Sequence, residues 1–152
     1  MFTGIIKSYG IIRSISKKGD WELKISPSWG KKKIKLGTSI SCSGICLTVK
    51  KIVDNDFFVD VSNETISKTN VSYWIEGQKI NLENSLKVGD ELAGHFVTGH
   101  IDGVAKVNEI IKIKDSYKLT LEVPYEFIKF FVKKGSVTLD GVSLTVNEVF
   151  EN

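Results

Sequence analysis

The side chains able to move protons or attack an electrophile sit in two short stretches and a histidine pair: Cys42 and Cys46, Asp140 and Ser143, His95 and His100. An imidazole titrates nearest neutral pH, so His100 is the natural candidate for proton transfer. Cys46 becomes a nucleophile if its pKa is lowered. Each also has a plainer reading. Cys46 within ICLTV fits a small buried hydrophobe. Asp140 before Gly141 is the usual first residue of an Asp-Gly turn, and Thr48 and Thr145 are good strand formers. Cys42 and Cys46 flank Ser43-Gly44, a tight turn, and no further ligands stand at zinc-like spacing. The sequence therefore predicts free thiols and no metal site.

These residues become informative when the chain is laid over itself. Residues 39–49 read SISCSGICLTV, and residues 136–146 read SVTLDGVSLTV, an offset of 97 (136 minus 39). Identities fall at Ser39/Ser136, Gly44/Gly141, Leu47/Leu144, Thr48/Thr145 and Val49/Val146. Thr3-Gly4 recurs as Thr98-Gly99, and Leu23 and Ile25 as Leu119 and Leu121. An internal repeat sets the architecture before any other feature. The chemistry lies in the differences: Cys46 is answered by Ser143, Ser43 by Asp140 and Ile5 by His100. Two matched pockets, differently equipped, suit a reaction between two copies of one substrate, one site preparing the donor and the other the acceptor.

The elements that must position these groups are short. Trp21, Leu23 and Ile25 alternate with Glu22, Lys24 and Ser26, the pattern of a half-buried strand. Strands are predicted at 5–15, 21–26, 34–42, 45–53, 57–61 and 73–83, with a hairpin turn at Asp54-Asn55-Asp56 and one helical turn after Ser62 or Asn63. Strands with glycine turns and little helix point to a small closed barrel, which removes exposed sheet edges. Residues 84–91 read as a linker, placing one unit at 1–90 and a second at 91–152. YEFIKFFV after Pro124 predicts a short helix over 125–132. Asn152 matches about position 55 of the first unit, so the second barrel is expected to lack the counterparts of residues 56–83.

Composition excludes several classes. Apolar residues make up 41% and charged residues 26%, a globular balance. No apolar run approaches the roughly 18 residues of a spanning helix, and the N-terminus lacks the layout of a secretory signal; the cytoplasm is the expected location, with no membrane partner. Net charge is +3, and Lys31-Lys32-Lys33 is the only dense basic run. Without basic residues spread over a face with interleaved aromatics, no nucleic-acid partner is expected.

MFTGII, SISCSGICLTV, NETISKTN, LKVGDELAGHFVTGHIDG and KKGSVTLDGVSLTVNEV, in this order, together resemble the riboflavin synthase family over nearly the whole chain. The resemblance implies an all-β fold of two tandem six-stranded Greek-key barrels, the second incomplete here. It implies dismutation of two 6,7-dimethyl-8-ribityllumazine molecules to riboflavin and 5-amino-6-ribitylaminouracil by four-carbon transfer, without a cofactor. It also implies a homotrimer and allows an association with lumazine synthase. By position it assigns a first pocket to Gly4, Ile5, Ile6, Cys46, Leu47, Thr48 and Asp60, Val61, Ser62, Asn63, Glu64 and Thr65. A second takes Gly99, His100, Ile101, Lys134, Ser143, Leu144 and Thr145. His100, Ser143, Asp140 and Cys46 are then the expected assisting groups in catalysis, with Cys46 facing the other three across a subunit boundary. Ser43 stands where the family usually has Asn. The second reading is a lumazine- or flavin-binding antenna protein that does not turn its ligand over, or an inactive fragment of the synthase.

Overall fold

The computed structural model describes residues 1–29 and 34–150; Gly30 and the run Lys31-Lys32-Lys33 lie outside the described residues. Strands β1 (Ser8–Ser16), β2 (Trp21–Pro27), β3 (Ser39–Cys42), β4 (Ile45–Val53), β5 (Asp56–Val61) and β6 (Lys79–Asn84) close into one barrel in the order β1-β2-β5-β4-β3-β6. All neighbouring pairs are antiparallel, and β6 returns to pair with both β1 and β3, completing the ring. Alternation decides which face each residue takes. Leu23 and Ile25 of β2, Leu47 and Val49 of β4, Val59 and Val61 of β5, and Ile80 and Leu82 of β6 fill the interior. Cys46 and Thr48 of β4 and Asp60 of β5 point outward.

Boundaries differ from the sequence expectation where one local signal overrode the hydrophobic pattern. The strand expected over 73–83 is a single 3-10 turn (Asn70–Tyr73), then loop, then β6. Thr69 Oγ1 accepts from Val71 N and caps that turn. The first strand begins at Ser8 rather than at position 5, and the third is confined to β3. Helix α1 (Asn63–Lys68) starts where expected, because Ser62 Oγ accepts from Thr65 N at 3.2 Å and Glu64 favours the first turn.

The β4–β5 hairpin is tied to β2 by a half-buried ion pair. Lys24 Nζ lies 3.0 Å from Asp56 Oδ2, and Ser26 Oγ donates to Asp56 Oδ1. Burial pushes the Asp56 carboxyl up, but the Ser26 hydroxyl and the Lys24 ammonium outweigh it and leave the pKa below its ordinary 3.8. A depressed folded-state pKa contributes stability that is present above the unfolded value and lost as pH falls through the folded one. Acid denaturation of Asp56→Asn should therefore be flatter below about pH 4 than that of the parent. Parallel curves in a urea titration repeated at pH 5 and pH 3 would exclude this contribution.

The second unit repeats the first as far as it goes. Hairpin β7 (Lys106–Ile113) with β8 (Ser116–Glu122) corresponds to β1–β2, and hairpin β9 (Ser136–Leu139) with β10 (Val142–Thr145) to β3–β4. Helix α2 is shorter than the expected 125–132, covering Tyr125–Ile128, and its chain continues in tight turns: Phe130 N donates to Phe127 O and Phe131 N to Ile128 O. Among the described residues no strand bridges the two hairpins into a ring. Burial records the consequence. Leu23 is 0% exposed, whereas its counterpart Leu119 is 44% exposed. The same residue type in the same register is covered in one unit and open in the other, so the closing strands, not the local sequence, bury it.

Candidate functional site

The repeat is joined to itself by exchange. Phe2 and Val97, matched at the same offset as Thr3 and Thr98, form an antiparallel bridge, with Phe2 N to Val97 O at 2.7 Å and Val97 N to Phe2 O at 3.0 Å. On either side the bonds are reciprocal. Ser143 N donates to Gly4 O at 2.8 Å, and Cys46 N donates to Gly99 O at 2.9 Å. Thr3 Oγ1 accepts from Ile5 N, and Thr98 Oγ1 accepts from His100 N, both at 3.3 Å. Each unit thus lends its leading segment to the other. Gly99-His100-Ile101 lies by Cys46, with Ile101 packed against the closed barrel's core, while Gly4 lies on Ser143 and Ile6 reaches Gly141. This redistributes the two pockets read from the sequence. Gly4, Ile5 and Ile6 belong with the second unit, and Gly99, His100 and Ile101 with the first. Cys46 N on Gly99 O brings the backbone next to His100 up to Cys46 within a single chain.

The first-unit site is an outer face of the barrel. Cys46 and Thr48 project from β4, and Leu47 between them points into the core. The antiparallel register through Val49↔Val59 carries Thr48 toward Asp60, whose oxygen Oδ1 sits 2.6 Å from Lys50 Nζ. Lys50 also reaches Glu22 Oε2 at 2.6 Å, and the bonds to Asp60 first and Glu22 second raise its pKa. Val61 is buried, Ser62 caps α1, and Asn63, Glu64 and Thr65 occupy its first turn with exposed or half-buried side chains. Together with Thr48 they offer hydroxyl, amide and carboxylate groups on one outer face of the barrel, a set that can orient a small polar ligand.

In the second unit Ser143 replaces Cys46, and Leu144 and Thr145 continue β10. Lys134 N donates to Val146 O at 2.7 Å, as its counterpart Gly37 does to Val49 O at 2.8 Å. Lys134 holds φ at +69° where Gly37 stands at +76°. A lysine in left-handed backbone costs about 1 kcal/mol that glycine avoids, and such outliers gather at functional positions. Asp140 faces the first barrel: Asn81 Nδ2 donates to its carbonyl at 3.0 Å, and Asn70 Nδ2 lies 3.5 Å from its carboxylate. Its φ of +45° matches that of Ser43, so both turns close in the same left-handed form. Cys42 faces inward and is fully buried, which pushes its thiol far above the ordinary range, while Cys46 is half-buried; both are free.

A hollow of about 720 Å³ opens between the second unit's two hairpins. Its walls include Leu119, Leu121, Val137 and Leu139, the counterparts of core residues Leu23, Ile25, Ile40 and Cys42. It is therefore the unclosed core of the second ring; Gly99, His100, Ile101 and Asp140 also line it, whereas Cys46 and Ser143 do not. Two residues that fix the site carry weak sequence signals. Glu83, on the outward phase of β6, reads as solvated, and His95 reads only as a lone histidine. Their partners are 80 and 48 residues away, so spacing could not pair them.

A closed Greek-key barrel, followed by a second unit of the same plan that exchanges leading segments with it, defines a duplicated lumazine-binding fold. The lumazine binding domain family matches residues 3–85 and 98–152. The chain belongs to the riboflavin synthase family. It is 43% identical over 158 residues to riboflavin synthase of Brucella abortus (strain 2308), covering 100% of this chain and 78% of that protein. It is 42% identical over 154 residues to riboflavin synthase of Photobacterium phosphoreum, covering 100% and 71%. Among solved structures, LumP complexed with riboflavin superposes with a TM-score of 0.89 at 30% identity, covering 99% of this chain and 83% of LumP. LumP complexed with 6,7-dimethyl-8-(1'-D-ribityl) lumazine gives 0.84 at 28% identity, covering 99% and 82%. Among the described residues, no helix is long and apolar enough to cross a membrane.

Proposed function

We propose that the chain binds 6,7-dimethyl-8-ribityllumazine at two related units, 1–90 and 91–152, and belongs to the apparatus that dismutates two such molecules to riboflavin and 5-amino-6-ribitylaminouracil. The observation that carries this reading is the reciprocal exchange. Two backbone frames match atom for atom, Cys46 N to Gly99 O and Ser143 N to Gly4 O, yet one presents a thiol and the other a hydroxyl. Identical frames bind one kind of molecule twice; different side chains let the two copies play different parts.

Cys46, Thr48, Asp60, Ser62, Asn63, Glu64 and Thr65, with His100 beside them, would hold the ring edge and the ribityl hydroxyls of one substrate. Ser143, Leu144, Thr145 and Lys134, with Gly4 and Ile5, would receive the other. Stacking two substrates in fixed register converts a bimolecular step into an effectively unimolecular one, an orientation effect worth up to about 7–11 kcal/mol. His100 takes the proton role, and Cys46, Ser143 and Asp140 assist. Assembly into a homotrimer would set the first unit of one chain against the second unit of its neighbour.

The likeness to LumP favours one alternative: a chain that binds lumazine or flavin without turning it over. Incubation with the lumazine, following riboflavin by absorbance with native mass measurement alongside, separates the two. Riboflavin formation, slowed in His100→Gln more than binding is weakened, supports the dismutation. A monomer that binds one ligand and forms no riboflavin would establish the binding protein instead.

A further inference from the structure

A row of polar side chains crosses the outer face of the first barrel beside the candidate site. Glu22 and Asp60 are register partners on β2 and β5, and the Val49↔Val59 pairing puts Thr48 next in line on β4. Leu23, Val49 and Val59 are buried in the core, so the residues that precede or follow them here face outward. Lys50, at the irregular step of the β4–β5 ladder, lies 2.6 Å from Glu22 Oε2 and 2.6 Å from Asp60 Oδ1. One ammonium is shared by two carboxylates. The neighbouring lysines are engaged elsewhere. Lys24 Nζ lies 3.0 Å from Asp56 Oδ2, and Lys51 Nζ lies 4.9 Å from the centre of the Phe58 ring.

The repeat shows that the fold does not dictate these charges. Lys118 is the counterpart of Glu22 at the offset of 96 that relates Leu23 to Leu119, and Asn147 is the counterpart of Lys50 at the offset of 97. Lys118 Nζ lies 3.7 Å from Glu148 Oε2, so a cation stands there where the first unit has a carboxylate. LumP, on the same fold, has been solved complexed with flavin mononucleotide, so the fold itself admits a phosphate. Selection for or against one rests with side chains.

We infer that Glu22, with Lys50 shared between it and Asp60, makes the first-unit site select a neutral ribityl chain and reject its 5'-phosphate ester. This rests on the reading above, in which Asp60 and residues 62–65 receive the ribityl hydroxyls. A ribityl chain ends in an alcohol, which can donate a hydrogen bond to a carboxylate; a phosphate dianion only accepts. Near neutral pH the ester carries close to two negative charges. It would meet two carboxylates and an ammonium that they already share. Taking Lys50 from Glu22 to bind the phosphate would leave that carboxylate unpaired beside a dianion. Across roughly 6 Å of water, one negative charge facing such a dianion weakens binding about tenfold. The groups are partly exposed, so the selection belongs to low ionic strength and fades as salt screens it.

The test compares riboflavin with riboflavin 5'-phosphate on the full chain at about 20 mM and about 0.5 M salt. Flavin fluorescence gives Kd, and the amide resonances of Asp60 and Thr65 report the first-unit site. At low salt the parent should bind riboflavin about tenfold more tightly than the phosphate, and at high salt the ratio should fall below about threefold. Glu22→Gln frees Lys50 from one carboxylate. It should narrow the low-salt ratio at least about threefold while riboflavin affinity moves less than about twofold. Glu22→Lys, which copies the second unit, should abolish or invert the preference. Equal affinities in the parent, or a preference that survives high salt or both substitutions, overturn the inference. Retained riboflavin binding reports an intact site in each variant, and the salt dependence of the unmodified protein decides the matter even where a variant misfolds. A parent chain that binds neither riboflavin nor the lumazine defeats the binding reading itself. One that binds both flavins alike defeats only the charge selection.

Discussion

Glu83→Ala should destabilise the protein by about 3–5 kcal/mol and loosen the N-terminal segment from the barrel. Glu83 is only 4% exposed, and its carboxylate accepts three hydrogen bonds. Thr3 N and Thr3 Oγ1 reach Oε1 at 2.8 and 2.7 Å, and Gly4 N reaches Oε2 at 3.0 Å. Hydrogen bonds to an ionised acceptor are the strong ones. Removing the acceptor strands two backbone donors in a covered place, and unsatisfied buried donors cost more than the lost bond itself. The effect reaches beyond β6, because residues 2–4 carry both the Phe2–Val97 bridge and the Gly4 carbonyl that holds Ser143. Glu83→Gln should recover only part of the loss, since its amide NH₂ replaces one acceptor with a donor facing another donor. Urea unfolding gives the energy, and amide exchange at Thr3 and Gly4 shows where it acts. A glutamine variant within 0.5 kcal/mol of the parent, its two amides still protected, would show that the carboxylate is not what holds the segment.

The second large effect is expected at the abutting turns. Gly44 and Gly141 meet backbone to backbone. A Cβ on Gly44 would lie 2.9 Å from Gly141 N, and one on Gly141 would lie 2.8 Å from Gly44 N. Both have left-handed φ, +89° and +83°. Alanine at either position meets the left-handed penalty of roughly 1–2 kcal/mol and a contact with main chain that no rotamer change relieves. Gly19 separates the two terms, because its φ is +74° and nothing lies within 4 Å of its would-be Cβ. Gly19→Ala should cost about 1 kcal/mol, and Gly44→Ala or Gly141→Ala about 3 kcal/mol or more. The double variant should cost less than the sum of its singles, since either methyl alone already parts the turns. Equal losses at Gly19 and Gly44 in thermal unfolding would mean that the close approach contributes nothing.

Both sites lie on the seam between the repeats, and the sequence showed that seam only in part. The matches of Thr3-Gly4 with Thr98-Gly99 and of residues 39–49 with 136–146 marked the segments that meet there, but not which copy meets which. A self-comparison pairs Gly4 with Gly99 as equivalents; the fold bonds Gly4 to Ser143 and Gly99 to Cys46. Equivalence under a repeat and contact in space are different relations, and an exchange about the Phe2–Val97 bridge swaps one for the other.

Local patterning by itself determined the barrel's inner and outer faces, because strand alternation is a property of consecutive residues. It determined the Ser43-Gly44 and Asp140-Gly141 turns and the Ser62 cap, because these interactions span a few residues. It also exposed the uneven chemistry of Cys46 against Ser143, since aligned copies show their differences directly. Only the tertiary structure decided that Gly99 bonds Cys46, that His95 bonds Ser143, and that Glu83 is a buried anchor. Those outcomes depend on partners tens of residues away, and neither the period nor the polarity of a local segment carries that information.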